Sequence, residues 1–376
     1  FLYFITFDLK RKEKSAKEVS FVLFYQKQGG KMTNWCLSCC IFVTHLVLNS
    51  FTVAFSFADT NTRNGASVVT GANGYLGKSI VHELLDQGGD GGGEDILCLV
   101  RQSRVSSEKE YWQRVSSSSS TTSSNVQVLP YDMLDGGDSL KQALQKVGGP
   151  CCVYHVASKF GPTENHRQTA LDNVQGTEEL VRTVAEHSKD HRIVITSSMA
   201  AVRGTGQTPK NGKYYTSEDW NTVSELGANW GASYQWSKAE SEKRAVDLAK
   251  KLGIEIVSMC PSFVFGPPRD LESTASFSIT LVGQWARGES PIQSRLFVDV
   301  RDVAAAHVAA GKRKDSSGKR FIISTEARVS SKEIASWLSH VCAESGLSDP
   351  NKIHFDAEFS GGAISIGEKE VEAEQR

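Results

Sequence analysis

Short runs of hydrophobic residues alternate with longer amphipathic stretches over most of this chain. The runs are rich in Val, Ile, Leu and Cys, and each has the length of a strand that is buried on both faces. They lie at residues 67–70, 95–100, 126–129, 152–156, 193–196 and 254–258. Apolar positions with a helical period fill three of the intervals, at 75–85, 173–187 and 234–251. Strands that alternate with helices predict an α/β fold with a doubly wound parallel sheet of the Rossmann type.

The same pattern divides the chain into three parts. Residues 1–65 show no clear period and are interpreted as a leader, whereas residues 66–261 carry the predicted Rossmann domain. Residues 262–376 are less regular, and we expect them to form a small substrate lobe that is interleaved with the loop 203–233. After residue 353 the chain becomes polar and acidic, where a further helix of this lobe is expected.

The leader contains one almost wholly apolar stretch, at residues 35–58. It ends in Ser56-Phe57-Ala58, which places small residues where a signal peptidase needs them. This pattern predicts a secretory or ER-entry signal, or a membrane anchor, and Met32 is then the natural start. The alternative is a mis-predicted start of the chain. A true signal would direct the protein to the ER or the secretory pathway, and without one we expect a cytoplasmic protein.

Charge and cysteine content exclude several classes of function. The chain has 42 Lys and Arg against 43 Asp and Glu, so it lacks the basic surface of a nucleic-acid-binding protein. Cys36 and Cys39 form a C-x-x-C, but no second ligand pair accompanies them, and no metal site is predicted. Cys151 and Cys152 are expected on opposite faces of a strand, as core residues. We expect a monomer or a homodimer with a small-molecule substrate.

A glycine-rich loop follows the first strand of the predicted sheet and opens the first helix. Gly71 permits a tight turn, Gly74 lets the backbone approach a pyrophosphate, and Gly77 lets the helix pack closely on the sheet. The helix N-terminus then offers oriented N–H groups to an anion. The loop therefore predicts a dinucleotide site. Its other contact positions are Asn73, Tyr75 and Leu76.

The tip of the second strand distinguishes between the two nicotinamide cofactors. An acidic residue there would bind the ribose 2′-hydroxyl of NADH. The chain instead has Arg101, whose guanidinium pairs well with a phosphate. We therefore predict NADPH as the preferred cofactor, NAD as the second choice, and Arg101 as the contact to the 2′-phosphate. The alternative is a solvated surface arginine.

Tyr234 and Lys238 form a Y-x-x-x-K on one face of a predicted helix. A free phenol has a pKa near 10, and a neighbouring ammonium is expected to lower it, which would make the phenol a usable general acid or base. Ser197 and Ser198 end the fifth strand at the carboxyl edge of the sheet, where ligands bind. Either hydroxyl is a candidate donor to a substrate carbonyl.

Several segments together resemble the extended short-chain dehydrogenase/reductase family, over residues 67–324. They are T-G-A-N-G-Y-L-G at 70–77, V-Y-H-V-A-S at 153–158, N-V-Q-G-T at 173–177, T-S-S at 196–198, Tyr234 with Lys238, P-S-F-V-F-G-P at 261–267 and F-V-D-V-R-D-V-A at 297–304. Within the family, the chain is most similar to the dihydroflavonol-reductase-like group, to which cinnamoyl-CoA reductases and 3β-hydroxysteroid dehydrogenases are related. The tyrosine-rich signature of cinnamoyl-CoA reductases is absent near Trp230.

The resemblance implies roles for individual positions. Contacts to the adenine, the cofactor groove and the nicotinamide fall on three pairs: Asp132 with Met133, Val156 with Ala157, and Pro261 with Ser262. Lys238 would also bind the nicotinamide ribose. The resemblance favours Ser198 over Ser197 as the residue that polarises the carbonyl, and Tyr234 would deliver the proton.

These observations favour an NADPH-dependent reductase of a ketone or aldehyde, or the reverse oxidation of an alcohol. A nucleotide-sugar epimerase or dehydratase is the alternative, but dehydratases need an acidic pair where this chain has Met199 and Ala200. A cofactor-binding sensor without turnover is a third class, which commonly lacks the tyrosine or the lysine. His155 is expected to pack under the sheet edge. The substrate is expected to be selected by loop 203–233 and the residues after Phe265.

Overall fold

The computed structural model describes residues 3–8, 20–28, 31–34, 65–87, 95–118, 125–212, 214–270, 272–325, 328–346 and 349–356. Near the amino end, β1 (Tyr3–Asp8), β2 (Ser20–Gln28) and β3 (Lys31–Asn34) form an antiparallel sheet that the sequence pattern does not predict. The predicted signal or anchor at 35–58 lies outside the described residues. Among those described, no helix is both long and apolar enough to span a membrane.

Seven parallel strands build the main sheet, in the order β12-β9-β8-β7-β4-β5-β6. They are β4 (Ala66–Thr70), β5 (Ile96–Val100), β6 (Val126–Pro130), β7 (Cys151–His155), β8 (Arg192–Thr196), β9 (Glu255–Pro261) and β12 (Arg320–Ile323). This topology confirms the predicted doubly wound α/β fold. The six predicted strands are present, and β12 is an additional strand that the pattern did not indicate.

The helices cover both faces of this sheet. They are α1 (Tyr75–Gln87), α2 (Val105–Ser118), α3 (Asp138–Leu144), α4 (His166–His187), the short α5 (Met199–Val202), α6 (Trp230–Leu252), α7 (Phe277–Ala286), α8 (Val300–Lys312) and α9 (Ser331–Ser345). Helices α4 and α6 begin earlier than their apolar periods predict. The Asn229 side chain accepts a hydrogen bond from the Ala232 amide, which sets the start of α6.

Alternating strand residues divide the hydrophobic core into two layers. Val68 belongs to the layer under α3, α4 and α6, whereas Val69 belongs to the layer under α1, α2 and α8. Cys151 and Cys152 pack into these opposite layers, as predicted. Burial of one such aliphatic side chain contributes about 1.5–3 kcal/mol, so the two layers hold the helices firmly on both faces of the sheet.

Residues after 261 are more regular than expected. Strands β10 (Phe263–Phe265) and β11 (Phe297–Asp299) pair in parallel, and with α7 and α9 they enclose a third core around Trp285. The chain then returns to the main sheet through α8 and β12. The sequence pattern did not indicate α8, which lies in the part of the chain that was interpreted as irregular.

Candidate active site

The glycine-rich loop adopts the geometry that its sequence predicts. Gly71 has a φ of 67°, and its N–H and that of Ala72 both donate to the Leu99 carbonyl, at 2.9 and 3.3 Å. A Cβ on Gly77 would lie 2.2 Å from the Gly71 carbonyl oxygen. These two positions therefore exclude any side chain, because the helix and the turn lie in direct contact.

The remaining loop residues differ in their exposure and in the contacts of their side chains. Gly74 is exposed and Asn73 is half-buried. The Tyr75 hydroxyl donates to the Gly266 carbonyl at 2.7 Å, so this ring packs into the third core beside Leu76. Only the backbone of Tyr75, at the start of α1, then faces the predicted pyrophosphate position.

Thr70 and His155 join the phosphate loop to the next strand. Thr70 Oγ1 accepts from the amides of Val156 and Ala157, both at 3.2 Å, so its own proton is donated to His155 Nδ1 at 2.9 Å. His155 therefore carries its proton on Nε2, which faces the Thr177 hydroxyl at 3.4 Å. Burial lowers the pKa of His155 to about 3, and it stays neutral as a structural group.

The predicted adenosine contacts lie along the carboxyl edge of β5 and β6. Arg101 follows β5 and is exposed. Asp132 follows β6, and its carboxylate accepts from the Leu134 amide at 3.0 Å. Met133 packs against Gly176 of α4, where a Cβ would lie 2.6 Å from the methionine methyl. The three residues therefore share the edge on which the phosphate loop opens.

Tyr234, Lys238 and Ser198 come together at the carboxyl edge of β8. Tyr234 lies next to Ser198, whose hydroxyl opposes the rise of its pKa. Lys238 Nζ donates to the Thr196 carbonyl at 3.1 Å. Ser198 also accepts from the Ala200 amide at 3.1 Å and so caps α5.

Ser197 points the other way, into the protein. Its hydroxyl donates to Glu242 Oε2 at 2.6 Å, and Glu242 is held in turn by Arg320 Nε at 2.6 Å. Since Ser197 is buried and committed to this pair, Ser198 is the hydroxyl beside Tyr234. The pair of Glu242 and Arg320 is a support that the sequence did not reveal, because its members lie on α6 and β12.

The pKa values of Tyr234 and Lys238 differ from those that the sequence led us to expect. Burial raises the pKa of Tyr234, opposed by the hydrogen bond with Ser198. Burial also lowers the pKa of Lys238 to about 8, opposed by Cys260 and Glu242. The expected lowering of the Tyr234 pKa by Lys238 is therefore wrong, because burial of the phenol dominates.

Three further aromatic rings surround Tyr234. Phe160, which is 48% exposed, lies 4.6 Å from the Tyr234 ring between centroids, and Trp230 lies 6.2 Å away in a stacked orientation. Phe277 at the start of α7 closes the group, 5.2 Å from Phe160 and 5.5 Å from Trp230. We name these four residues the aromatic cluster. Sequence reasoning missed it because its members come from three distant segments.

The last pair of predicted cofactor contacts lies where β9 ends. Pro261 is buried, and the Ser262 amide donates to the Ile323 carbonyl of β12 at 2.9 Å. The hydroxyls of Ser158, Ser262 and Ser324 are buried and find no hydrogen-bond partner among the described residues.

The family comparison is unambiguous. The NAD dependent epimerase/dehydratase family matches residues 67–324, well over half of the chain. The chain belongs to this family. Its match begins at the second residue of β4 and ends just after β12, so it spans the whole main sheet.

Similar proteins include reductases of several organisms. A putative dihydroflavonol 4-reductase of Synechocystis is 29% identical over 289 residues, which is 75% of this chain and 73% of that protein. A cinnamoyl-CoA reductase of Medicago truncatula is 26% identical over 266 residues, covering 70% and 77% of the two chains. Among solved structures, Gre2 of Candida albicans in complex with NADPH has a TM-score of 0.65 at 23% identity, covering 80% of this chain and 88% of that one.

These likenesses confirm the predicted family and fold. The predicted resemblance to dihydroflavonol reductases and cinnamoyl-CoA reductases agrees with the relatives found, and the solved structure shares the main sheet. The roles assigned to single residues stay predictions, which rest on the geometry described above.

Proposed function

We propose that this protein is an NADPH-dependent oxidoreductase that interconverts a ketone or aldehyde with an alcohol. The observation that carries the proposal is that Tyr234 and Ser198 lie next to each other at the sheet edge, with Lys238 one helical turn away. A hydroxyl pair of this kind presents two donors to one carbonyl oxygen. Relatives described as oxidoreductases or NADPH-dependent reductases support the reaction class.

The residues at the predicted cofactor site fit a dinucleotide. Gly71 and Gly77 leave backbone where a pyrophosphate needs to approach, and the N-terminus of α1 lies beyond them. The exposed Arg101 would hold the 2′-phosphate, and the buried hydroxyl of Ser262, which has no partner among the described residues, would bind a polar group of the nicotinamide. When bound, the cofactor supplies a hydride to the carbonyl carbon.

The side chains supply the rest of the chemistry. Ser198 donates a hydrogen bond to the carbonyl oxygen and so stabilises its developing negative charge. Tyr234 transfers its phenolic proton to the same oxygen, because burial keeps it protonated at neutral pH. Lys238 would hold the ribose hydroxyls and would place positive charge beside the phenolate that remains.

The test is removal of the phenolic proton. Tyr234→Phe should abolish NADPH oxidation with a screened set of aldehydes and ketones, while the dissociation constant for NADPH changes less than about twofold. Dissociation constants of the unmodified protein for NADPH and NADH should differ in favour of NADPH. Near-normal turnover by the variant would rule out the proposed role.

The epimerase alternative predicts a different behaviour of the cofactor. An epimerase keeps its NAD bound through purification, so a preparation that carries no nucleotide and oxidises added NADPH would exclude it. Turnover with any carbonyl compound would equally exclude a sensor without catalysis.

A further inference from the structure

Arg320, the first residue of β12, connects three parts of the protein through one guanidinium. Its Nε and Nη2 donate to the two carboxylate oxygens of Glu242, at 2.6 and 3.2 Å. Its Nη1 donates to the carbonyl of Ser217 at 3.0 Å and to that of Asp219. The guanidinium also lies 3.8 Å from the Trp220 ring centroid. The strand is therefore joined to α6 on one side and, on the other, to the loop between α5 and α6, which is expected to select the substrate.

Glu242, the carboxylate in this pair, contacts the segment that carries the proposed catalytic serine. It lies on α6 one turn after Lys238 and two turns after Tyr234, and its side chain is 1% exposed. Its Oε2 accepts from Ser197 Oγ at 2.6 Å, and Ser197 is the chain neighbour of Ser198. Ser197, Lys238 and Glu242 line the same cavity. The pair with Arg320 is thus part of the surroundings of the proposed site.

Asn221 attaches the same loop to α5, the short helix that Ser198 caps. The backbone amide of Asn221 donates to the Ala201 carbonyl at 2.9 Å, and its Nδ2 donates to the Ala200 carbonyl at 2.8 Å. The Ala200 amide in turn donates to Ser198 Oγ at 3.1 Å. The contacts of Arg320 lie two and four residues earlier in the loop, so one short segment meets both the arginine and the helix of the serine.

The loop also reaches the residue that follows Tyr234. Asn221 Nδ2 donates to Ser224 Oγ at 2.9 Å, and Ser224 Oγ donates to Gln235 Oε1 at 2.7 Å. Gln235 is the chain neighbour of Tyr234 on α6. A shift of the loop would therefore change the surroundings of the proposed proton donor as well as those of the serine.

We propose that Arg320 is a positioning residue, which fixes the loop between α5 and α6 against Ser198 and Tyr234. This inference rests on the proposed function and adds a residue that acts through the loop rather than on the reacting atoms. A guanidinium suits the task because its planar fork donates several hydrogen bonds in fixed directions. A displacement of about 1 Å at a catalytic group can lower a rate about 100-fold.

Arg192 provides a matched control at the amino edge of the sheet. The side chains of Arg192 and Arg320 are 1% and 10% exposed. Arg192 also pairs with a carboxylate, Glu255 at 2.7 Å, and also donates to a backbone carbonyl, that of Ala310 at 3.1 Å. It is the first residue of β8, whereas Ser198 lies beyond the other end of that strand. A lysine at either position keeps the charge and removes the fork.

The test compares Arg320→Lys with Arg192→Lys. Arg320→Lys should lower kcat for the reduction of a screened aldehyde or ketone by about 10- to 100-fold, while the dissociation constant for NADPH changes less than about twofold. Arg192→Lys should change neither by more than about twofold, at a comparable loss of Tm. An equal loss of kcat in the two variants, or an Arg320→Lys kcat within about twofold of the unmodified value, would overturn the proposal. An equal weakening of NADPH binding would overturn it as well.

Asn221→Ala removes the other attachment of the loop and gives a second variant. It should also lower kcat. Its combination with Arg320→Lys should lower kcat by less than the product of the two single losses, because both residues act through the same segment. Losses that multiply would show two independent effects and count against positioning through the loop.

Hydrogen exchange distinguishes failure of this inference from failure of the proposed reaction, because it needs no substrate. The amides of Asn221 and Ala200 are bonded to the Ala201 carbonyl and to Ser198 Oγ. Both should exchange at least about tenfold faster in Arg320→Lys and at an unchanged rate in Arg192→Lys. If no carbonyl compound is reduced, faster exchange in Arg320→Lys supports the positioning role and counts against the reaction alone, whereas unchanged exchange overturns the role.

Discussion

Lys78 is the residue whose replacement should most affect stability. Its side chain on α1 is fully buried, and its ammonium lies 2.9 Å from Glu108 of α2 and 3.9 Å from the Tyr111 ring centroid. It also contacts Asp270 in the segment after β10. Burial opposes the ionisation of Asp270, but hydrogen bonds from Lys78 and Ser273 prevail and lower its pKa. Lys78→Met keeps most of the volume of the side chain and removes the charge.

The expected loss of folding stability in Lys78→Met follows from the carboxylates that the variant leaves without a cation. Glu108 is 2% exposed and Asp270 17% exposed, so the variant leaves one carboxylate buried and a second mostly buried without their cation. Breaking a buried ion pair by removing one partner costs about 3–5 kcal/mol. For a domain of this size, 1 kcal/mol corresponds to about 2–4 °C in Tm, which gives a decrease of about 6–20 °C.

The dependence of this cost on pH identifies its origin. A buried carboxylate without a cation has a folded-state pKa above its unfolded value of about 4.3. The folded variant then binds more protons than the unfolded chain, so its stability decreases as pH rises above that value. The deficit relative to the unmodified protein should be largest at neutral pH and should shrink toward about pH 5.

Urea unfolding followed by circular dichroism at pH 5 and pH 7.5 measures both quantities. Lys109→Met is the matched control, because Lys109 is exposed on the same helix as Glu108, and it should cost less than about 0.5 kcal/mol. Adding Glu108→Gln to Lys78→Met should recover part of the loss. A cost below about 1 kcal/mol, or one independent of pH, would refute the reasoning.

Two further predictions concern the cofactor site. Gly77→Ala should abolish NADPH binding and lower Tm, because its Cβ would meet the Gly71 carbonyl at 2.2 Å. The control is Gly148→Ala, whose Cβ would lie in open space, and it should change neither quantity. A calorimetric titration measures the binding and a thermal melt measures the Tm. Arg101→Ala should raise the dissociation constant for NADPH at least tenfold, the usual loss of a charged hydrogen bond, and leave that for NADH within about twofold. Equal weakening of both cofactors would contradict a role in binding the 2′-phosphate.

The features that the sequence predicts are those encoded within a few residues of one another. The loop from Gly71 to Gly77 needs glycine because turn and helix touch locally, and buried parallel strands such as β5 are continuous apolar runs. Helix α2 escaped prediction because it is rich in Ser and charged residues, and Trp112 is its only fully buried large apolar side chain among the described residues.

The features that the sequence does not predict depend on contacts between distant segments. The aromatic cluster joins residues 160, 230, 234 and 277. The pKa of Tyr234 is also not predicted by the sequence. The four-residue spacing places Lys238 on the same helix face, but it does not reveal that the Lys238 ammonium donates to the Thr196 carbonyl. Such relations require the register of the sheet.

The raised pKa of Tyr234 predicts how reduction and oxidation should each depend on pH. Below its ordinary value near 10, the residue is a phenol, which is the form that reduction of a carbonyl requires. Oxidation of the alcohol requires the phenolate. The kcat/KM for reduction should therefore stay nearly constant from about pH 6 to 8, whereas kcat/KM for oxidation should rise about tenfold for each pH unit over the same range.

The two profiles also separate the free protein from its complex. Burial lowers the pKa of Lys238 to about 8, so its charge is present at neutral pH and is lost as pH rises through that value. If bound nucleotide brings this ammonium to bear on the phenol, the Tyr234 pKa decreases and the oxidation profile flattens below pH 8. Because kcat/KM for the nucleotide reports the nucleotide-free protein and kcat/KM for the alcohol reports its complex with nucleotide, a plateau for the alcohol alone would locate the lowering in that complex. A plateau in kcat/KM for the nucleotide would refute a raised pKa in the free protein.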